Sequence, residues 1–114
     1  MHKQNKYMKI SIITITYNSA KTVQRALDSV QNQHYSDIEH IIVDGASSDG
    51  TREIVEKYAA DHKNVRYISE PDKGIYNALN KGIQMATGDV IGFLHSDDML
   101  YSSDSIGKIA ASFE

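Results

Sequence analysis

Four short apolar runs, each followed by a segment with helical periodicity, constrain the fold of this chain more than any other feature. The runs are rich in Ile, Val and Thr, which favour extended strands, and turn-forming residues bound them. They cover Met8–Thr16, Ile38–Val43, Asn64–Ser69 and Val90–Leu94. Because strands alternate with helices, the sequence predicts an α/β fold with a mainly parallel sheet, helices on both faces and right-handed crossovers.

Apolar residues at helical spacing predict one helix after each strand. Ser19 is the expected cap of the first helix and Ser102 or Ser103 that of the last, because a serine hydroxyl can accept a bond from a free backbone N–H. Asp49-Gly50-Thr51 predicts the start of the second helix rather than a ligand site. The expected inner positions, helix by helix, are Val23, Ala26, Leu27 and Val30; Ile54, Val55, Tyr58 and Ala59; Ile75, Ala78, Leu79, Gly82, Ile83 and Ala86; and Ile106, Ile109, Ala110 and Phe113.

Length and composition narrow the class of protein further. The 114 residues suffice for one domain, with residues 1–7 as a loose lead-in and residues 8–114 as the folded part. The apolar face of the last helix is still running at Glu114, so we expect a fragment of a longer polypeptide. There is no cysteine, which excludes disulfides and thiolate metal sites. The net charge of −3 gives no electrostatic case for nucleic acid or an anionic membrane, and no run resembles a signal peptide or membrane span.

The fourth apolar run ends abruptly in His95-Ser96-Asp97-Asp98. Two adjacent carboxylates at the end of a buried strand repel each other unless a cation shares the site or water reaches both. Ligands of open α/β sheets gather at the carboxyl ends of strands, so this stretch predicts a divalent-cation site that holds a phosphorylated ligand. His95 and Asp97 project to the same side of an extended segment, which suits Mn²⁺. The alternatives are an acid that caps a turn or helix and a half-buried histidine.

Other polar residues at predicted strand ends have two interpretations each. Asp44 could accept a hydrogen bond from a base imide or a ribose hydroxyl, or it could stabilise its own turn before Gly45. Tyr17 could stack on a base or pack on its neighbours. Lys73 could reach a phosphate or base, or lie in solvent, and Asn80 could point at a ligand or at solvent.

The order and spacing of these motifs resemble the nucleotide-sugar-binding half of family 2 glycosyltransferases, which have the Rossmann-like GT-A fold. The resemblance runs from about Met8 to the C-terminus. Its motifs are Thr16-Tyr17-Asn18, Val43–Thr51, Ser69–Asn77, Gly88-Asp89 and Phe93–Asp98. Each motif is weak alone, but together in this order they form a specific pattern.

The resemblance implies roles for individual residues. Asp44 matches the acid that binds the uracil or other base, and Asp97 matches the final acid of the D-x-D motif, which ligates an ion bridging two phosphates. His95 lies where the commoner pattern has the first aspartate. The resemblance therefore does not decide whether His95 makes the ribose contact of that aspartate. The expected nucleotide-sugar-binding residues are Thr16, Tyr17, Asn18, Asp44, Lys73, Gly74, Asn80, His95 and Ser96, with Asp97 and Asp98 as ligands of Mn²⁺ or Mg²⁺.

The activity implied by the resemblance is a metal-dependent single displacement that inverts the anomeric carbon of a nucleoside-diphosphate sugar, expected to be a UDP-sugar. The acceptor would be a glycan or a lipid-linked hydroxyl, and the setting cytoplasmic, with peripheral attachment to the inner face of the membrane in the full-length protein. The general base is expected beyond Glu114, so no catalytic residue is assigned here, and the chain should bind nucleotide weakly without catalysing transfer unaided.

Two other function classes stay open from the sequence. A nucleotidyltransferase would share the sheet and the acids, but its first loop is usually glycine-rich and basic, whereas residues 17–21 here contain no glycine. A non-catalytic α/β nucleotide-binding module of the receiver type would place its acid pair after the first strand, where this chain has Thr16-Tyr17-Asn18.

Overall fold

The computed structural model describes residues 8–100, 103 and 105–111 of the chain. In order, the elements are β1 (Ile10–Thr16), α1 (Val23–Gln31), β2 (Ile38–Asp44), α2 (Thr51–Asp61), β3 (Val65–Ser69), α3 (Ile75–Met85), β4 (Val90–Phe93) and α4 (Ser105–Ala111). The predicted alternation is confirmed, and strand ends differ from prediction by one or two residues. The predicted lead-in at residues 1–7 lies outside the described residues. Within the described part, no helix is both long and apolar enough to cross a membrane.

All strand pairs in the sheet are parallel, and the strand order is β3-β2-β1-β4. The chain moves outward through β1, β2 and β3 and then crosses back to place β4 beside β1. Because crossovers are right-handed, this reversal puts α1 and α2 on one face and α3 on the other. The predicted parallel sheet with helices on both faces is therefore confirmed.

The core forms two layers, one on each face of the sheet. Alternate residues of β1 and β2 point to opposite faces, as in any strand. On the face covered by α1, α2 and α4 the buried residues are Ile10, Ile12, Val23, Ala26, Leu27, Val30, Ile38, Ile42, Val55, Tyr58, Val65, Leu94 and Ile106. On the face covered by α3 they are Ile13, Ile41, Val43 and Ala78. Because both faces are covered, β1 and β2 are apolar almost throughout.

Two predicted helix starts are wrong. α1 begins at Val23, not at Ser19: the backbone N–H groups of Thr22 and Val23 both donate to the Ser19 carbonyl, at 3.0 and 2.9 Å, in a turn that precedes the helix. α4 begins at Ser105, two residues after Ser103. Ile106 is buried as predicted. Ser102 and Phe113 fall outside the described residues, and Ile109 and Ala110 fall outside the described side chains.

The inner face of α3 is narrower than predicted. Ala78 and Gly82 are buried, but Ile75 and Ile83 are 53% and 43% exposed. The reason is that α3 packs over β1 and β2 and does not cover β4, so Phe93 on that face is also exposed. A Cβ on Gly82 would lie 2.6 Å from Cγ2 of Ile13, so the glycine lets the helix approach the sheet closely.

A buried carboxylate fastens the amino ends of the strands. Glu39 accepts hydrogen bonds from Ser11 Oγ at 2.8 Å, from the backbone N–H of Thr87 at 2.9 Å and from Arg66 at 2.7 Å. Burial alone would raise the pKa of Glu39, but these bonds outweigh it and lower the pKa to about 2. The turn before β4 is thereby held to β1 and β2, which leaves the opposite edge of the sheet for a ligand.

Candidate functional site

Asp44, the last residue of β2, joins the carboxyl ends of three strands. It is paired in register with Thr16 of β1 and with Ser69 of β3, so the three side chains share one face of the sheet. Its carboxylate accepts bonds from Thr16 Oγ1 at 2.6 Å and Ser69 Oγ at 2.8 Å. It also accepts from Oγ and the backbone N–H of Ser47, at 2.6 and 2.9 Å. Asp44 is fully buried at the centre of this cluster.

These hydrogen bonds keep the Asp44 carboxylate ionised, and they also fill its acceptor positions. Burial would raise the pKa of Asp44, but the bonds from Ser47, Thr16 and Ser69 outweigh burial and lower the pKa below its ordinary value. A carboxylate has about four acceptor positions, and four protein donors fill them here. The bonds from Ser47 also stabilise the turn after β2, as the alternative interpretation of Asp44 expected. Contact between Asp44 and a base stays a prediction.

The loop after β1 is held against the loop after β2. Asn18 adopts a left-handed backbone, with φ of 47°, which asparagine tolerates better than most residues. Its backbone N–H donates to Ser47 Oγ at 2.8 Å, and its Oδ1 accepts from the Ser48 N–H at 2.9 Å. Tyr17, one residue earlier, is 66% exposed. The loop therefore presents a free aromatic ring beside the Asp44 cluster, which suits the stacking interpretation.

The loop after β4 lies beside the loop after β1. Ser96 Oγ is 2.9 Å from Ser19 Oγ, and Thr22 Oγ1 donates to the Ser96 carbonyl at 2.9 Å. Between the loops lies an open crevice of about 530 Å³, named here the carboxyl-edge crevice. Its lining residues are Asn18, Ser19, Lys21, Thr22, Asp49, His95, Ser96 and Asp97. Four of the predicted site residues, Asn18, His95, Ser96 and Asp97, thus face one space.

The two predicted metal ligands differ in their surroundings. Asp97 is exposed and lines the carboxyl-edge crevice, whereas Asp98 accepts a bond from the Met99 N–H at 2.8 Å. Among the described residues, no three His, Asp or Glu side chains stand close enough to hold a metal ion by themselves. Mg²⁺ is commonly bound by one or two carboxylates together with ligand phosphates. The exposed oxygens of Asp97 and Asp98 fit that mode of binding, and the described side chains do not form a closed protein cage.

The loop after β3 reaches the same edge of the sheet. Gly74 has φ of 115°, a conformation that favours glycine, and its N–H donates to Asp72 Oδ1 at 3.1 Å. Lys73 is exposed, and its backbone N–H donates to Asn77 Oδ1 at 3.0 Å at the start of α3. Asn80 is exposed on α3, about 9 Å along the helix from Gly74 by the usual rise per residue. The structure therefore brings Lys73 and Gly74 to this edge and places Asn80 further along the helix.

Asp49 lies two residues before the first residue of α2, so Asp49-Gly50-Thr51 leads into the helix as predicted. Its carboxylate accepts from Thr51 Oγ1 at 2.6 Å, from the Thr51 N–H at 3.1 Å and from the Ala20 N–H at 3.2 Å. The bond from the Thr51 hydroxyl is the main reason that the pKa of Asp49 lies below its ordinary value. Asp49 thereby holds the start of α2 against the loop after β1, which is a structural role.

The sequence interpretation missed three residues at this edge: Ser47, Ser69 and Asp72. The two serines complete the cluster around Asp44. Thr16, Asp44 and Ser69 end successive strands, which was a signal for Ser69, although the strand order that makes these strands neighbours was not predicted. Asp72 was noted only as part of a loop. Its position depends on how that loop folds over Gly45, which a sequence pattern does not specify.

Comparison with known proteins identifies the family. The chain matches glycosyl transferase family 2 over residues 11–114. The PGL/p-HBAD biosynthesis glycosyltransferase of Mycobacterium bovis (strain BCG / Pasteur 1173P2) is 38% identical over 102 residues, which are 89% of this chain and 40% of that relative. The chain thus spans less than half the length of this curated relative.

Solved structures show the same architecture. The mannosyltransferase PcManGT from Pyrobaculum calidifontis, in complex with GDP-Man and Mn²⁺, superposes with a TM-score of 0.80 at 29% identity, over 87% of this chain and 30% of that one. S. aureus TarS 1-349, in complex with UDP-GlcNAc, superposes with a TM-score of 0.82 at 31% identity. The match covers 91% of this chain and 30% of that one. The predicted GT-A, Rossmann-like fold is confirmed. The chain belongs to glycosyl transferase family 2.

Proposed function

We propose that this chain is the donor-binding part of a glycosyltransferase that uses a nucleoside-diphosphate sugar, with UDP as the expected nucleotide. The observation that carries the proposal is the meeting of the β1 and β4 loops around the carboxyl-edge crevice, with Asp97 facing it and the Asp44 cluster beside it. Family membership supports glycosyl transfer. The complexes of PcManGT with GDP-Man and of TarS with UDP-GlcNAc support a nucleotide-sugar ligand.

Each predicted site residue has a proposed place in donor binding. Asp44 contacts the base, Thr16 lies beside it at the end of β1, and Tyr17 and Asn18 lie on the side of the base. Lys73 and Gly74 flank the base and ribose from the β3 loop, and Asn80 lies further along α3. His95 and Ser96 face the ribose and diphosphate.

We propose that Asp97 and Asp98 hold a divalent cation, Mn²⁺ or Mg²⁺, together with phosphate oxygens of the donor. When bound, such an ion supplies positive charge where the leaving nucleoside diphosphate gains negative charge. Exposed carboxylates at a crevice rim provide the hard oxygen ligands that both ions prefer. The Mn²⁺ in the PcManGT complex supports this assignment.

The proposed reaction is a single displacement. The oxygen of an acceptor hydroxyl forms a bond to the anomeric carbon while the bond from that carbon to the diphosphate breaks, so the configuration inverts. The acceptor hydroxyl, on a glycan or lipid-linked molecule on the cytoplasmic side, loses its proton to a general base that we place outside these residues. The role of this chain is to bind and orient the donor.

The competing function classes predict different ligands. A nucleotidyltransferase or a non-catalytic nucleotide-binding module could also bind nucleotides at this edge. Membership of glycosyl transferase family 2 favours sugar transfer over both. A preference for nucleoside diphosphates and their sugars over nucleoside triphosphates would support the transferase.

Calorimetric titration of the purified protein with UDP, with and without Mn²⁺, tests the proposal. We expect binding that requires the ion. Asp97→Asn should weaken it about tenfold or more, because a charged ligand of the ion is lost. Asp61→Asn is the matched control, since Asp61 lies on the surface of α2 in an ion pair with Lys57. UDP binding that is independent of Mn²⁺ and unchanged in Asp97→Asn would contradict the metal assignment, and no binding of any nucleoside diphosphate would contradict donor binding.

Turnover measurements test whether this chain binds the donor without catalysing transfer. We expect no transfer of sugar from a UDP-sugar by this chain alone. Appreciable turnover would show that the residues present suffice for catalysis and would overturn the proposal that the base lies elsewhere. In a longer form of the protein that transfers sugar, the coupling constant of the anomeric proton in the product would report whether the configuration inverts.

A further inference from the structure

The loop after β4 carries the two proposed metal ligands, but bonds within the loop do not fix its position. The Asp98 N–H donates to the His95 carbonyl at 3.1 Å, which forms a turn with Ser96 and Asp97 at its centre. The Asp98 carboxylate accepts from the neighbouring Met99 N–H at 2.8 Å. The carboxylate of Asp97 has no hydrogen-bond partner among the described residues. Contacts outside the loop must therefore set where the two acids lie.

The residue before the two acids, Ser96, is held at the start of α1. Thr22 Oγ1 donates to the Ser96 carbonyl at 2.9 Å, and Ser96 Oγ lies 2.9 Å from Ser19 Oγ. Ser19 and Thr22 belong to the turn that leads into α1. Because Asp97 follows Ser96 directly, these bonds fix the position of the loop on one side of the acids.

The residue that follows the acids by two positions, Leu100, is held further along α1. Its backbone N–H donates to Ser29 Oγ at 3.0 Å across a separation of 71 residues, so the bond is tertiary. Ser29 is buried on the inner side of α1, and its own hydroxyl donates to the Ala26 carbonyl at 2.8 Å. The Leu100 side chain packs against the core, which sets its depth. The bond to Ser29 additionally fixes the direction of the Leu100 backbone.

Two further bonds continue this contact to the end of α1. The His34 N–H donates to the Ser103 carbonyl at 2.7 Å, and the Ile106 N–H donates to Gln33 Oε1 at 2.9 Å. An open groove of about 500 Å³ runs between the exposed side of α1 and the connection from β4 to α4. Because side chains do not fill this groove, the hydrogen bonds to α1 and its preceding turn set much of the distance between helix and loop.

We infer that Ser29 and Thr22 are positioning residues for the proposed metal site: they hold the loop that carries both acids from its two ends. This inference rests on the proposed function and deepens it. Ser29 is not among the residues that line the carboxyl-edge crevice, so it acts on a ligand there only through the loop. The helix α1 thereby becomes part of the metal site, although none of its residues is a metal ligand.

Cation binding by two loop carboxylates depends on where those carboxylates are held. Mg²⁺ requires near-octahedral geometry with ligand distances of about 2.0–2.1 Å, and a loop that must first be ordered binds with lower affinity. Residues that orient metal ligands without touching the metal typically change metal affinity about 10–100-fold when they are replaced. Loss of either bond to α1 should therefore raise the Mn²⁺ concentration that UDP binding requires.

The main test substitution is Ser29→Ala, which removes the acceptor for the Leu100 N–H. Alanine has a higher helix propensity than serine, so α1 itself is not weakened. Ser29→Thr keeps the hydroxyl and serves as the rescue variant. Thr22→Val is the second test, because valine resembles threonine in shape but cannot donate to the Ser96 carbonyl. The matched control is Gln24→Ala, since the bond from Gln24 to Asp28, at 2.9 Å, lies within the exposed surface of α1.

The experiment is calorimetric titration of the full chain and its variants with UDP at a series of Mn²⁺ concentrations. It yields the ion concentration at which UDP affinity is half-maximal, the Mn²⁺ midpoint. Thermal unfolding identifies a temperature at which each variant is folded, so that lost stability alone does not move the midpoint. We expect the midpoint to rise about tenfold in Ser29→Ala and Thr22→Val, to return towards the wild-type value in Ser29→Thr and to be unchanged in Gln24→Ala.

The outcomes that would overturn the inference differ in what else they overturn. If the wild type binds UDP in a Mn²⁺-dependent manner and folded Ser29→Ala keeps the wild-type midpoint, the positioning role is wrong while the metal site stands. Thr22→Val decides in the same way if Ser29→Ala does not fold. If the wild type binds UDP without Mn²⁺, or binds no nucleoside diphosphate, both the inference and the proposed metal site are wrong.

Discussion

A buried histidine should make the stability of this protein fall with pH from about 6.5 downward, starting above the range in which carboxylates titrate. His40 of β2 is fully buried under α2. Its Nε2 lies 2.8 Å from Thr14 Oγ1, and its Nδ1 lies 2.8 Å from Tyr58 Oη. Burial lowers the pKa of His40 from 6.5 to about 3. The ring is therefore neutral in the folded protein at pH 7.5 and at pH 5.0.

The size of the effect follows from linkage. Because the folded pKa is depressed, the stabilisation is fully present above pH 6.5 and is lost as the pH falls from 6.5 towards 3. In that window the unfolded chain binds a proton at His40 that the folded chain does not bind. Each pH unit then costs about 1.4 kcal/mol of unfolding free energy, which amounts to about 2 kcal/mol at pH 5.

Urea unfolding at pH 7.5 and pH 5.0 measures this loss. The comparison is with His40→Gln, which keeps a polar group of similar size but cannot titrate. We expect the variant to be less stable at pH 7.5, because the bonds to Thr14 and Tyr58 are disturbed, and to lose about 2 kcal/mol less than the wild type between the two pH values. Equal losses in the two proteins would refute the reasoning, since they would mean that folded His40 takes up its proton as readily as unfolded His40.

Two further predictions concern residues in or packed on the sheet, and the second has a control substitution in α4. The pKa of Glu39 is depressed to about 2 from 4.5, so its stabilisation is present above pH 4.5 and lost as the pH falls towards 2; urea unfolding should show the stability advantage of the wild type over Glu39→Gln shrinking by about 2 kcal/mol between pH 7 and pH 3. Gly82→Ala should lower the unfolding free energy by about 1–3 kcal/mol in the same assay, because the new Cβ would meet Ile13 at 2.6 Å. Gly107→Ala in α4, where the added Cβ meets no described residue within 4 Å, should be neutral or stabilising.

The element order was predictable because the strands and helices are each locally consistent. Strands buried on both faces give nearly continuous apolar runs, and the helices between them repeat at their own spacing. Where the prediction failed, a neighbouring element decided the outcome. Ser19 looks like a helix cap, but its hydroxyl lies against Ser96 of the β4 loop, 77 residues away. Ile75 and Ile83 follow the helical period, yet they are exposed because α3 does not reach over β4.

The site residues that could be predicted are those placed simply by following the end of a strand. Polar residues follow β1 and β4, and parallel strands bring those ends to one edge of the sheet. The sequence could therefore predict that Asn18, His95, Ser96 and Asp97 line one crevice. The partners of Asp44 instead depend on register, since Thr16 and Ser69 reach it only because their strands are aligned on either side. A shift of one residue would turn those side chains to the other face.

The cluster around Asp44 couples the proposed base contact of this acid to the stability of the sheet. An ionised group buried at the junction of three strands is costly to disturb, because any change leaves hydroxyl and N–H donors unpaired. Asp72 lies on a loop, with one oxygen free, and its replacement alters a single bond within the protein. Asp44→Asn should therefore lower the unfolding temperature as well as the affinity for UDP, whereas Asp72→Asn should leave the unfolding temperature close to that of the wild type. Thermal unfolding of both amide variants, with titration by UDP in the presence of Mn²⁺, checks this, and an Asp44→Asn variant that unfolds at the wild-type temperature would refute the reasoning.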